Sequence, residues 1–252
     1  MKQKLSIVKI GGNVIENESE LNEFLRNFSR LEESKILVHG GGKLATKLAS
    51  KLGVASKMTN GRRITDAESL KVITMVYGGL TNKNIVAKLQ ALGINAIGLS
   101  GADGNAIQGH KRPIKEIDFG FVGDIDRINS ELIGILVHAD LTPVFCAISH
   151  DGKGQLLNTN ADTIASELAI GMSHLYDTTL YYCFEKKGVL LDVENDDSVI
   201  KHIDTVSFKD LLGQKIITDG MLPKMQNCFH ALQKEVSKVC IGDISMLKPD
   251  SK

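Results

Sequence analysis

The 252-residue chain has no charge excess of either sign, because thirty lysines and arginines are matched by thirty aspartates and glutamates. A balanced surface gives no electrostatic reason to bind nucleic acid or an anionic membrane, so neither is expected as a partner. No run of about 18 apolar residues is present, which argues against a transmembrane helix. The opening Met1-Lys2-Gln3-Lys4-Leu5 lacks the apolar stretch of a signal peptide, and a cytoplasmic protein is expected. The only cysteines are Cys146, Cys183, Cys228 and Cys240. No CxxC pair occurs, so zinc and dithiol chemistry have little support, and four buried thiols in a reducing compartment are expected.

Familiar nucleotide signatures are missing as well. Gly42-Lys43 is followed by Leu44 and has no glycine five positions earlier, so GxxxxGK[ST] is absent. No GxGxxG follows a strand, and no HRD or DFG triplet of a protein kinase occurs. No Pro/Gly/Ser-rich linker, repeat or low-complexity tract divides the chain.

What is present is strand–helix alternation. Leu5 to Ile10 reads as a buried strand, and Leu21, Phe24, Leu25, Phe28 and Leu31 recur at helical spacing. Ile36 to His39 is a second strand; Leu44, Leu48 and Leu52 form a helix face that stops at Gly53. Thr65-Asp66-Ala67-Glu68 has capping-box spacing and opens a helical stretch reaching Leu92, with a break at Gly78-Gly79. Asn95 to Leu99 is a strand, Asp103-Gly104 a turn between short strands, and residues 109–127 an excursion of short strands. Pro143 to Ile148 returns to the sheet, Ala161 to Ile170 is helical, and Thr179 to Phe184 and Val239 to Ile241 are later strands. Short helices are expected over Val206 to Leu212 and Pro223 to Leu232. The order implies an α/β protein, a three-layer α/β/α sandwich around a mainly parallel open sheet.

Two strand ends carry anion-binding equipment. Lys9-Ile10-Gly11-Gly12 and His39-Gly40-Gly41-Gly42 each let backbone approach an anion, with a helix start behind. Asn158-Thr159-Asn160-Ala161-Asp162 offers amides and an acid at a third place. In an open parallel sheet, ligands bind beyond the carboxyl ends of the strands. Together these features suit phosphoryl transfer.

These pieces, with Asn60-Gly61-Arg62-Arg63-Ile64-Thr65, Asn82-Lys83, Gly98 to Gly104 and Ile217-Thr218-Asp219-Gly220-Met221-Leu222-Pro223-Lys224, resemble the amino acid kinase family in content and order across residues 5–224. The resemblance implies a lobe at residues 1–170 that binds an acyl amino acid and dimerises, and a lobe at 171–252 that binds ATP. The Asn-Gly-x-Arg and Asn-x-Asn-Ala-Asp pieces imply an acylglutamate kinase, in which the γ-carboxylate of N-acetyl-L-glutamate attacks the γ-phosphate of ATP in arginine biosynthesis. N-succinyl-L-glutamate is the alternative substrate. A sister kinase for carbamate or another amino acid, and a non-catalytic ligand sensor, stand further off.

A carboxylate needs no general base, so catalysis must be positioning plus charge neutralisation. By resemblance, Lys9 and Lys224 would stabilise the transferring group and the leaving side, with Asp162 between them. Arg63 would grip the α-carboxylate with Asn158 assisting, Asn160 would serve the acyl amide, and Gly41 and Gly42 would offer N–H groups. Arg62 would be solvated and His39 a packing residue. Gly11, Gly12, Glu185, Gly188, Ile216 and Thr218 would contact the nucleotide, and Mg²⁺ would be held mainly by phosphates and water. Two departures stand out. Phe184-Glu185-Lys186-Lys187-Gly188 occupies the place of the family's Ser/Thr-Asp-Val-x-Gly turn, and no Gly-Thr strand follows Ile241-Gly242-Asp243. The chain opens at its first strand without an extra N-terminal helix, so an arginine-insensitive homodimer is expected.

Overall fold

The run Leu5 to Ile10 is buried on both faces, apart from half-buried Lys9, as a central strand of a parallel sheet must be. In the computed structural model, which describes residues 2–59, 62–192, 194–214, 216–217 and 221–248, it is β1 (Lys4–Ile10). Then come α1 (Gly12–Glu16), α2 (Glu18–Ser29), β2 (Ser34–His39), α3 (Gly42–Lys51) and the antiparallel pair β3 (Lys57–Thr59) and β4 (Arg62–Ile64). Next are α4 (Ala67–Thr74), a π-helical turn (Met75–Thr81), α5 (Asn82–Ala91), β5 (Ala96–Leu99), β6 (Ile107–Lys111), β7 (Gly123–Ile128) and α6 (Ser130–His138). The chain continues through β8 (Thr142–Cys146), β9 (Ile148–His150), β10 (Leu156–Asn158), α7 (Ala161–Ser173), β11 (Asp177–Cys183), α8 (Thr205–Gly213), α9 (Leu222–Gln233) and β12 (Lys238–Gly242).

The main sheet has the order β12-β11-β1-β2-β8-β5, with every neighbouring pair parallel. From β1 the chain steps to β2 on one side, and β11 returns on the other. The crevice at their carboxyl ends is therefore a topological switch point, where open α/β sheets bind ligands. Lys9, His39-Gly40-Gly41 and Cys183 all stand at that edge, because β1 pairs Lys9 with Val38 and with Tyr182.

Helices cover both faces. Val8, Ile10, Leu37 and Val144 pack with Phe24, Leu25 and Phe28 of α2 and Ile85 and Leu89 of α5. Ile7, Ile36, Val38 and Phe145 pack on the other face with Ile164, Ala165, Leu168 and Met172 of α7. Each large side chain buried this way contributes about 1.5–3 kcal/mol. The expected α/β sandwich is thus the observed one. A second sheet, β10-β9-β6-β7, realises the excursion expected at residues 109–127 and carries Asn158. Cys146, Cys183 and Cys228 are buried, Cys240 is half-buried, and all four are free.

Several local expectations shift. The capping residue of α4 is Asp66, whose carboxylate accepts from the Ser69 N–H at 2.8 Å. Thr65 is unavailable because its N–H donates to Phe119, its carbonyl accepts from Phe121, and its hydroxyl accepts from Asn158. Gly78-Gly79 do not break the helix; they widen it into the π turn. Asp103-Gly104 forms a 3₁₀ turn between strands of different sheets rather than a hairpin. After β12 the next described element is the 3₁₀ turn Ile244–Leu247, whose Leu247 joins the α2 side of the core.

Candidate active site

Lys9 is the penultimate residue of β1, so its side chain emerges near the carboxyl edge of the sheet. Asp162 lies in the first turn of α7, where a negative charge suits the helix dipole. Lys224 lies in the first turn of α9, where a cation is disfavoured, and the acid compensates it. Lys224 donates to Asp162 Oδ2 at 2.6 Å. Lys9 Nζ stands 2.7 Å from Oδ1 as an ion pair without hydrogen-bond alignment. The side chains are 11 % (Lys9), 13 % (Asp162) and 22 % (Lys224) exposed, so little water screens them. Burial alone would raise the pKa of Asp162, but the Lys9 and Lys224 charges outweigh it and hold the carboxyl down at about 2. Tyr182 fixes the turn by donating to the Asp162 carbonyl at 3.0 Å. Two lysines against one carboxylate leave a net positive charge at the switch point.

The second component is the Gly40-Gly41-Gly42 turn. His39 is fully buried. Its Nδ1–H donates to the Gly40 carbonyl at 2.8 Å, and its Nε2 accepts from the Asn82 amide at 3.0 Å. Asn82 donates also to the Val144 carbonyl at 2.9 Å. Burial pushes the His39 pKa down to about 4 against the pull of the Gly40 carbonyl, so the ring is neutral near pH 7. His39 is the strut that fixes the glycine turn. Gly41 caps α3 at φ +150°, a conformation that side chains disfavour, and a β-carbon there would meet the Tyr77 ring at 3.1 and 3.2 Å.

Arg63 arrives from β4. Its Nη2 donates to the Gly42 carbonyl at 3.0 Å and to Thr46 Oγ1 at 2.6 Å, and its Nη1 donates to Ser56 Oγ at 2.8 Å. Thr46 also donates to the Gly42 carbonyl at 2.9 Å. The guanidinium is thereby fixed beside the glycine turn, while Arg62 is exposed. Asn158, at the end of β10, donates to Thr65 Oγ1 at 2.9 Å. Asn160 is the N-cap of α7, its oxygen accepting from the Asp162 and Thr163 N–H groups at 2.8 and 3.1 Å. Its oxygen is thus engaged in positioning Asp162.

The structure also sorts the residues expected at a nucleotide. Gly11 gives its own N–H to the Cys183 carbonyl at 2.9 Å, so it cannot offer that group to a phosphate. Gly12 begins α1, where first-turn N–H groups lack carbonyl partners ahead of them. Lys43 of α3 hydrogen-bonds Asn13 of α1, joining the two glycine turns. Gly188 is buried with no room for a β-carbon, which would stand 2.9 Å from Val199 Cγ1. Glu185 is exposed. Lys186 and Lys187 pair with Asp196 and Asp197 at 2.9 and 2.7 Å, closing that loop on itself. Ile216 packs against the small cluster of Val189, Leu211, Ile217 and Met225. Thr218, together with Asn60, Gly61, Asp219 and Gly220 of the motifs, lies outside the described residues.

Sequence reading missed Tyr77 and Thr81, which lie under Gly41, and gave Asn82 no role. The adjacent Gly78-Gly79 pair was the available signal. The π turn it lies in places Tyr77 and Thr81 beside Gly41, a long-range contact.

A family model described as the amino acid kinase family matches residues 4–243. An acetylglutamate kinase of Phocaeicola vulgatus is 57 % identical over 251 residues, spanning 100 % of this chain and 98 % of the relative. One from Bacteroides fragilis is 54 % identical over 250 residues, spanning 99 % and 96 %. Among solved structures, a Streptococcus mutans protein is similar with a TM-score of 0.80 at 25 % identity, covering 95 % of this chain and 94 % of that one. An N-acetylglutamate synthase from Neisseria gonorrhoeae shares the fold at a TM-score of 0.79 and 18 % identity, over 96 % of this chain and 55 % of that one.

Proposed function

The chain belongs to the amino acid kinase family and is a kinase, and on that premise we propose that it transfers the γ-phosphoryl group of ATP to the γ-carboxylate of N-acetyl-L-glutamate, a step of arginine biosynthesis. The observation that carries this is the Lys9–Asp162–Lys224 bridge beside a rigid glycine turn.

The γ-carboxylate attacks phosphorus, the bond to the β–γ bridging oxygen breaks, and ADP leaves with the electron pair. The product is an acyl phosphate. Both reactants are anions, so the barrier is dominated by their repulsion and by alignment. Gly41 and Gly42 at the start of α3 hold the attacking carboxylate by their N–H groups. Arg63 and Asn158 hold the α-carboxylate, and the Asn160 amide nitrogen meets the acyl group. Lys9 stabilises the transferring group and Lys224 the leaving side. Asp162 holds the two lysines together so that their charge meets negative charge as it migrates. The first turn of α1 from Gly12 onward, the Glu185–Gly188 loop, Ile216 and Thr218 line the nucleotide.

Among the described residues no cluster of three His, Cys, Asp or Glu side chains could cage a metal, and the Asp162 oxygens face lysines. Mg²⁺ would be carried mainly on the nucleotide's phosphates and water, where it would neutralise phosphate charge. Residues 1–170 form the acyl-glutamate lobe and 171–252 the ATP lobe, and the protein works as a cytoplasmic homodimer. Among the described residues no helix is long and apolar enough to cross a membrane.

The test is coupled ADP release with MgATP against N-acetylglutamate, N-succinylglutamate, glutamate, aspartate and carbamate. The highest kcat/KM is expected for N-acetylglutamate. A higher value for N-succinylglutamate reassigns the acyl group, and preference for an unacylated acid or carbamate refutes the proposal.

A further inference from the structure

Resting on the substrate proposed above, we propose that the Tyr77 hydroxyl is a substrate-binding group of this enzyme, donating a hydrogen bond to the carboxylate held at the glycine turn. Tyr77 belongs to the π turn and is 6 % exposed. Its ring fills the side-chain direction of Gly41. Its hydroxyl reaches on to Gly42 and stands 3.6 Å from the place of a β-carbon there.

Buried tyrosine hydroxyls usually find a partner. The Tyr77 hydroxyl makes no hydrogen bond among the described residues, and it faces Gly42, whose own carbonyl has other partners. That carbonyl already accepts from Arg63 at 3.0 Å and Thr46 at 2.9 Å, so both its lone pairs are engaged. The Gly41 carbonyl accepts from the Ala45 N–H at 2.9 Å, and the Gly40 carbonyl from His39 Nδ1 at 2.8 Å. The phenol thus has no acceptor among the described residues, and the bound carboxylate brings one. Burial raises the Tyr77 pKa while Arg63 opposes it, and the net rise keeps the phenol protonated and able to donate. Thr81 is 4 % exposed, and its buried Oγ1 is a second hydroxyl beside Gly41 without a partner among the described residues. The π turn therefore delivers two unpartnered hydroxyls to the glycine turn. π turns recur at functional sites because the widened ring re-aims side chains.

Tyr77→Phe keeps the ring under Gly41 and removes only the hydroxyl. In steady-state ADP release with the full chain, its KM for N-acetylglutamate is expected to rise roughly tenfold or more, as for a lost hydrogen bond to a charged group. Its KM for ATP and its Tm are expected to stay at wild-type values. An unchanged KM for the acyl substrate overturns the inference. So does a rise in the ATP KM instead, which would assign the hydroxyl to phosphate. A fall in Tm with equal loss for both substrates would make the hydroxyl structural and overturns it too. Wild-type protein that turns over no acyl-glutamate refutes the proposed function and this inference together, whereas wild-type kinetics in Tyr77→Phe refute this inference alone.

Discussion

Replacing Asp162 by asparagine preserves the shape of the side chain and removes the charge that Lys9 and Lys224 share. The acid is only 13 % exposed. Its pKa nevertheless falls from 3.8 to about 2, so the two lysines favour the charged form beyond the opposing effect of burial. That shift of about 2 units corresponds to about 2–3 kcal/mol. Removing one partner from a buried ion pair costs about 3–5 kcal/mol, since the remaining charges stay desolvated and unpaired. The expected loss for Asp162→Asn at pH 7 is therefore about 2–5 kcal/mol. For a chain of this length that lowers Tm by roughly 4–20 °C. The pH dependence has a definite sign. A carboxyl with a depressed folded-state pKa contributes fully above its unfolded value of 3.8, and the contribution is lost as pH falls through about 2. Wild type and variant should differ in full at pH 7 and converge toward pH 2. Thermal and urea unfolding across that range provide the assay. An Asp162→Asn protein as stable as wild type at pH 7, or a gap that widens on acidification, would refute the reasoning.

His39 makes a second pH window. Its pKa is about 4 in the fold against 6.5 unfolded, so below pH 6.5 the unfolded chain takes up a proton that the folded chain refuses. About 3 kcal/mol should be lost between pH 6.5 and 4, and His39→Asn should flatten that slope in urea titrations; an equal slope contradicts a buried neutral ring. Gly41→Ala places a β-carbon at φ +150° against the Tyr77 ring. It should cost about 1–3 kcal/mol in unfolding and raise the KM for the acyl substrate, and a variant with wild-type Tm and KM would show that the turn is not strained.

Much of the fold was legible because local signals agreed with the global arrangement. The α2 face of Leu21, Phe24, Leu25 and Phe28 and the apolar β1 run specify which surfaces are buried, and the structure buries them. The glycine turns could be placed at strand ends for the same reason. Contacts set by long-range packing were not legible. Gly11 loses its N–H to Cys183 only because β1 lies beside β11. Asp66 caps α4 because Thr65 is bound to Phe119, Phe121 and Asn158 elsewhere in the chain. Asn160 looked like a ligand amide, yet its oxygen caps α7, a local role that short polar side chains commonly take before a helix. The π turn hides within ordinary helical periodicity.

The central claim is that Lys9 and Lys224 act on charge that develops during phosphoryl transfer. Its most direct test is kcat for Lys9→Ala and Lys224→Ala with saturating MgATP and N-acetylglutamate. A group that stabilises the transition state more than the bound substrates lowers kcat with little change in KM. Each variant is expected to lose roughly a hundredfold or more in kcat, as for removal of one transition-state charge donor, with KM near wild type. Turnover equal to wild type in both variants, or a loss confined to KM, would contradict it.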